Sequence, residues 1–207
     1  MTSVIESAVS PSCELVVATR KEEAMWLLER LVPDSTPNNL SLAFRADGEL
    51  NVSALRGALE ALLTRHEVLR TVYFAAGAEL MKTVQPIGEF DVPLEELPLG
   101  WADDFPGDLE RLEQELLPFI NRRFLFDGRP LLRAGLFRHS YRGDVVCLAL
   151  HHLIYDVISA TVILEELTTA YNCLAAGEPI PESLHGQIGS FTEPEPKPAS
   201  LEFWRDS

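Results

Sequence analysis

The run Asp144 to Asp156, DVVCLALHHLIYD, decides the fold. Val145 to Leu150 is apolar without alternation, which predicts a strand buried on both faces. Leu131 to Arg138 (LLRAGLFR) precedes it across Tyr141-Arg142-Gly143, so the two runs read as an antiparallel pair. After Asp156 a helix is expected from about Ser159 to Leu174, with Ile163, Leu167, Ala170, Tyr171 and Leu174 on its inner face and Gly177 as its stop.

Upstream, Glu14 to Thr19 is a short strand candidate. Lys21 to Leu31 then reads as a helix with Met25, Leu28 and Leu31 on one face beside Trp26. Pro33, Pro37 and Asn38-Asn39 break it. Leu40, Leu42 and Phe44 alternate with Ser41, Ala43 and Arg45, as a half-buried strand does, and Asp47-Gly48 turns that strand. Ser53 is the expected cap of a helix striped by Leu55, Leu59, Leu62 and Leu63. Val72 to Phe74 and Leu80 to Val84 flank Ala75-Ala76-Gly77-Ala78 as a hairpin. Pro86 to Pro106 is expected to be irregular, with a strand near Val92. Asp108 is the expected cap of a helix striped by Leu109, Leu112, Leu116, Phe119 and Ile120, with a kink or early end at Pro118. Strands and helices mixed in this way predict an α+β fold, a two-layer sandwich in which helices cover a mainly antiparallel sheet.

Composition sets outer bounds. The 207 residues suffice for one large domain or two small ones, and 46% apolar with 24% charged residues is ordinary for a globular chain. The net charge of −15 is not ordinary, and it argues against nucleic acid and membrane as partners. Met1 to Pro11 has no basic and apolar signal pattern, and no apolar stretch nears the roughly 20 residues of a membrane helix, so the cytoplasm is the expected compartment. Cys13, Cys147 and Cys173 cannot all pair within one chain, and Cys147 and Cys173 read as small core residues. Four segments are expected: a leader over 1–13, a lobe over 14–178, a Pro-rich linker over 179–200, and the start of a helix over 201–207.

Chemistry concentrates at His151-His152-Leu153-Ile154-Tyr155-Asp156, where the most buried strand gives way to a helix. A rigid strand delivers side chains there and a loop exposes them. Neighbours on a strand point to opposite faces, so one histidine can face a cleft while the other packs behind. A histidine can take a proton from an attacking amine or hydroxyl, or hold that group in place. A satisfied core histidine remains the bland alternative. Metal binding is disfavoured, because adjacent histidines diverge and no further ligand lies nearby in sequence. No phosphate-binding glycine loop and no nucleophile elbow is present.

Several segments, taken together and in order, resemble the condensation domains of nonribosomal peptide synthetases. His151 to Asp156 is similar to that family's HHxxxDG motif, and Arg65-His66-Glu67-Val68-Leu69-Arg70-Thr71 matches its RHExLRT motif at every fixed position. Pro130 to Ala134, Met25-Trp26 and Phe203-Trp204-Arg205 resemble further family segments. The resemblance implies a chloramphenicol acetyltransferase-like lobe, one of two flanking a tunnel. A donor carrier protein would bring an acyl or peptidyl thioester on phosphopantetheine, and an acceptor carrier an aminoacyl group whose amine attacks it. No cofactor would be bound directly. His152 would be the active-site histidine and His151 mainly structural. Asp156 would form a buried ion pair with Arg65 or Arg70, whose loss would cost about 3–5 kcal/mol.

Three departures accompany the resemblance. Val157 stands where the family has glycine, which would shift the loop or narrow the tunnel. Lys21-Glu22-Glu23-Ala24 departs from the first motif. The chain also ends where a second, C-terminal lobe is expected, so an isolated lobe is expected to be inactive and open to self-association. Three readings follow: a lobe of an amide-forming enzyme, a non-catalytic docking or gating module for carrier proteins, or a freestanding acyltransferase with its cleft at a homo-oligomer interface.

Overall fold

The computed structural model describes residues 13–32, 36–90, 94–99, 109–138, 143–183 and 185–188. Its strands form two four-stranded sheets. In the first, β1 (Val16–Val17), β4 (Glu79–Val84), β3 (Thr71–Ala76) and β6 (Asp127–Pro130) lie in that order, all antiparallel. In the second, β2 (Asn39–Arg45), β8 (Val145–His151), β7 (Leu132–Arg138) and β5 (Leu94–Pro98) follow one another, and only the β5–β7 pair is parallel. The fold is α+β with mainly antiparallel pairing, divided between two sheets. The chain passes from one sheet to the other at the fully buried Leu131, between β6 and β7.

β8 is buried along its whole length, as its unbroken apolar run requires. It lies between β2 and β7, with Leu148 opposite Leu42 and Ala134. Helix α3 (Leu109–Ile120) covers one face of this sheet, where Phe119 stacks edge-on to Phe137 at 5.5 Å over Gly135. Helices α2 (Val52–Arg65) and α4 (Val157–Ala176) pack against each other and bury Leu55, Leu59, Ile163 and Leu167. Gly177 ends α4 at φ +73°, as expected.

Several expectations are corrected. Asn51, not Ser53, caps α2: its side-chain oxygen accepts from the Ala54 N–H at 3.1 Å. Helix α1 (Arg20–Leu31) buries Trp26 and Glu29, while Leu28 and Leu31 are 63% and 77% exposed. Thr19 and Glu22 form a capping box at its start. The 127–130 strand was not anticipated. Pro118 lies in the last turn of α3, which runs only to Ile120. The strand expected near Val92 is met by β5, which begins at Leu94. The Asp108 cap, the Leu109 side chain, the Tyr141-Arg142 turn residues, the leader before Cys13, most of the 179–200 linker and the 201–207 helix with Phe203-Trp204-Arg205 lie outside the described residues.

All three cysteines are free thiols. Cys147 is fully buried, and burial pushes its thiol up to about 12; Cys173 is only half-buried. Among the described residues, no helix is long and apolar enough to cross a membrane, and no three His, Cys, Asp or Glu side chains gather as a metal site would require.

Candidate functional site

The two histidines at the end of β8 have opposite environments. His151 is fully buried, edge-on to Phe124 and Phe126 at 6.1 and 5.4 Å. Its Nε2 lies 2.7 Å from Oε1 of Glu29 on α1, and its Nδ1 accepts from the Leu153 N–H at 3.1 Å. Because that N–H can only donate, Nδ1 carries the lone pair and Nε2 the proton given to Glu29. His152 is exposed. Its backbone N–H donates to the Asn38 carbonyl at 2.8 Å, and its Nδ1 lies 2.8 Å from the Tyr155 carbonyl. A carbonyl only accepts, so the hydrogen bond places the ring proton on Nδ1 and leaves the Nε2 lone pair.

Among the described residues, Asp156 makes no buried ion pair. It is exposed and caps α4, accepting from the backbone N–H of Ser159 at 2.7 Å and from its hydroxyl at 2.6 Å. The Ser159 hydroxyl first, and then its backbone N–H, hold the Asp156 carboxyl below the usual carboxylate range. The arginines proposed as its partners are engaged elsewhere. Arg70 is buried and donates to the backbone carbonyls of Leu63, at 2.8 Å, and Gln85. Arg65 pairs with Glu166 of α4 at 3.1 Å. Val157, at the family's glycine position, opens α4 with 81% exposure and lies outside the set of residues lining the cleft at His152. No non-glycine residue described has a positive φ, so the backbone there does not need glycine.

The arginine-histidine motif builds a clasp. His66 is fully buried; its Nε2 donates to Glu166 at 2.7 Å and its Nδ1 accepts from the Ile188 N–H at 3.1 Å. Arg65 also donates to the carbonyls of Ser183 and His185, at 3.2 and 2.6 Å, and the Ser183 hydroxyl donates to Glu166. The segment after α4 is thereby tied back onto the α2–α4 junction. Sequence reasoning did not find Glu29, Asn38 or Glu166, each distant along the chain from the group it holds.

These pieces surround an open cleft of about 890 Å³. His152, Tyr155 and Asp156 form one side, Tyr73 and Lys82 of the first sheet another, and the clasped segment at His185 and Ile188 a third. Glu22, from the departed first motif, also lines it: Lys82 donates to both its oxygens at 2.8 Å and the Tyr73 hydroxyl to one at 2.6 Å. Burial works against the Glu22 carboxylate, but these donors outweigh it and hold the group below its usual range. Burial, then the Glu22 charge, raise the Tyr73 hydroxyl well above its ordinary value.

Comparison with known proteins agrees with this architecture. A linear gramicidin synthase of Brevibacillus parabrevis is 36% identical over 160 residues, covering 76% of this chain and 2% of that protein. Chondramide synthase cmdD of Chondromyces crocatus is 27% identical over 196 residues, 95% of this chain and 5% of its own length. Among solved structures, the X-domain from teicoplanin biosynthesis is 25% identical with a TM-score of 0.69, covering 96% of this chain and 39% of that one. The starter condensation domain of rhizomide synthetase, at 18% identity and a TM-score of 0.69, shares the fold over 82% of this chain and 40% of that chain. The chain thus spans a few per cent of the curated relatives and about two fifths of these structures. The Condensation domain family model matches residues 16–195, and with the paired histidines and the complete arginine-histidine motif in place, the chain belongs to the condensation domain family of nonribosomal peptide synthetases.

Proposed function

We propose that this lobe, joined to a second one, forms an amide bond between a carrier-bound acyl or peptidyl thioester and a carrier-bound aminoacyl amine, with His152 at the reacting centre. The observation that carries this reading is the hydrogen bond from His152 Nδ1 to the Tyr155 carbonyl at the edge of the cleft. It fixes the ring and leaves Nε2 as a proton acceptor. The amine nitrogen attacks the thioester carbonyl carbon while Nε2 orients the amine and takes its proton. As the C–S bond breaks, that proton passes to the phosphopantetheine sulfur, which leaves as a thiol. His151 faces away and supports the strand end. Phosphopantetheine comes as part of each substrate, and the second lobe supplies the opposite wall.

The test mixes the chain with a second lobe and with acyl-loaded donor and aminoacyl-loaded acceptor carriers, and follows the amide product by mass spectrometry. Product should fall at least about 100-fold in His152→Ala, the scale of a lost general base. The thermal midpoint should stay nearly unchanged, because the exposed ring makes a single local hydrogen bond. Unaltered product in His152→Ala would overturn the reading.

One observation favours a second reading, a non-catalytic module that binds a partner protein. The X-domain that matches 96% of this chain has been solved in complex with OxyB. Absence of product while the second lobe is demonstrably bound would select that alternative.

A further inference from the structure

The turn that carries His152 is held from two directions, and both holds end on one carboxylate. On one side, His151 receives the Leu153 N–H on Nδ1 and gives its Nε2 proton to Glu29 Oε1, at 3.1 and 2.7 Å. On the other, Asn38 receives the His152 N–H on its backbone carbonyl at 2.8 Å, and its side-chain amide donates to the same Oε1 at 3.1 Å. Glu29 lies on α1, 122 residues before His151, and is only 8% exposed. The buried His151 ring N–H and the Asn38 amide converge on this one oxygen, so an apolar side chain in its place would leave both donors without their acceptor. Burial raises the Glu29 carboxyl, but the His151 and Asn38 donors outweigh burial and bring it below its usual range, so it is an anion there.

We propose that Glu29 is a positioning residue for His152, fixing the backbone on both sides of it through His151 and Asn38. Its consequence for turnover rests on the amide-forming reading given above; the clamp itself does not. The His151 contact orients the ring whose Nδ1 shapes the turn at Leu153. The Asn38 contact fixes the peptide whose carbonyl holds the His152 amide. Loss of the carboxylate loosens both, while the Nδ1 bond of His152 to Tyr155 remains. Both contacts fall on one carboxylate oxygen, and a glutamine amide oxygen can replace it, so Glu29→Gln should retain the clamp and Glu29→Leu should not.

Amide hydrogen exchange followed by NMR on the full chain reads the clamp without any need for activity. Glu29→Leu should speed exchange at His152 and Leu153 at least about tenfold, leave Leu148 and Leu150 in the strand centre unchanged, and spare both turn amides in Glu29→Gln. Unchanged protection at His152 and Leu153 in Glu29→Leu would overturn the clamp. If Glu29→Leu loosens the whole strand, Asn38→Ala decides: faster exchange at His152 alone supports the proposal, and unchanged exchange there refutes it. In the two-lobe assay, Glu29→Leu should lower kcat about tenfold with KM held, and Glu29→Gln should restore it. Loosened amides with an unaltered kcat would overturn the positioning role. A wild-type pair that makes no product would instead count against the amide-forming reading and leave the exchange result standing.

Discussion

Two aspartates bracket the central strand, and their surroundings give their loss different consequences. Asp144 is 2% exposed, bound by the Arg138 guanidinium at 2.5 Å and the Leu50 N–H at 2.7 Å. Asp156 is exposed and serves as a helix cap. Asp156→Ala should therefore cost about 1 kcal/mol in denaturant unfolding, the ordinary scale of a lost cap, and not the penalty of an orphaned buried charge. Its pH dependence follows from a carboxyl held below the usual range by Ser159. The folded state favours the anion, so the contribution is complete above the ordinary aspartate range and disappears as pH falls through the lowered value. The stability gap between wild type and Asp156→Ala should accordingly close in acid and stay constant from pH 6 to pH 8, roughly the range well above any carboxylate titration.

At the scale of elements, α1 shows where pattern and packing part. Its pattern grouped Met25, Leu28 and Leu31 on one face beside Trp26, yet the helix buries Trp26 and Glu29, three residues apart, and leaves Leu28 and Leu31 outside. Trp26→Ala should cost about 3–5 kcal/mol, whereas Leu28→Gln should stay within about 0.5 kcal/mol; urea unfolding of both separates the two faces. The reading failed there because an inward glutamate contradicts hydrophobic periodicity and is explained by its partners His151 and Asn38, which lie outside the helix. Strand β6 was hidden for a related reason: Asp127-Gly128-Arg129-Pro130 has no strand composition, and pairing with β3 holds it extended. The legible elements, among them β2, β7, β8, the β3–β4 hairpin, α2 and α4, are those whose own residues impose a period or a stop. The paired histidines were legible as a candidate site for the same local reason, while Glu29 and Asn38, which hold that pair, and Glu166, which holds His66, carry no signal in spacing. Gly143 is tightly placed: it sits at φ +84°, and a Cβ there would lie 2.0 Å from the Ala46 carbonyl oxygen. Gly143→Ala should destabilise by more than about 1 kcal/mol, measured in the same unfolding series.

Across the whole molecule, the arginine-histidine motif works as a fastening. Glu166 gathers Arg65, His66 and Ser183, and the Ile188 N–H completes the attachment of the segment that walls the cleft. Glu166→Ala strands the buried His66 N–H, and should cost about 1–3 kcal/mol. Protease cleavage between Glu178 and Ile188 should accelerate in that variant more than cleavage elsewhere in the chain; equal acceleration everywhere would mean a general loss of structure.

The same fastening bears on where this chain can be joined to a related one. A splice placed just after Gly177, at the end of α4, looks natural because the helix stops there. It would put a foreign stretch against His66 and Glu166, whose partners are the Ile188 N–H and the Ser183 hydroxyl. A junction beyond Ile188 carries the lock and its key together, and the hybrid inherits the cleft wall with its anchor.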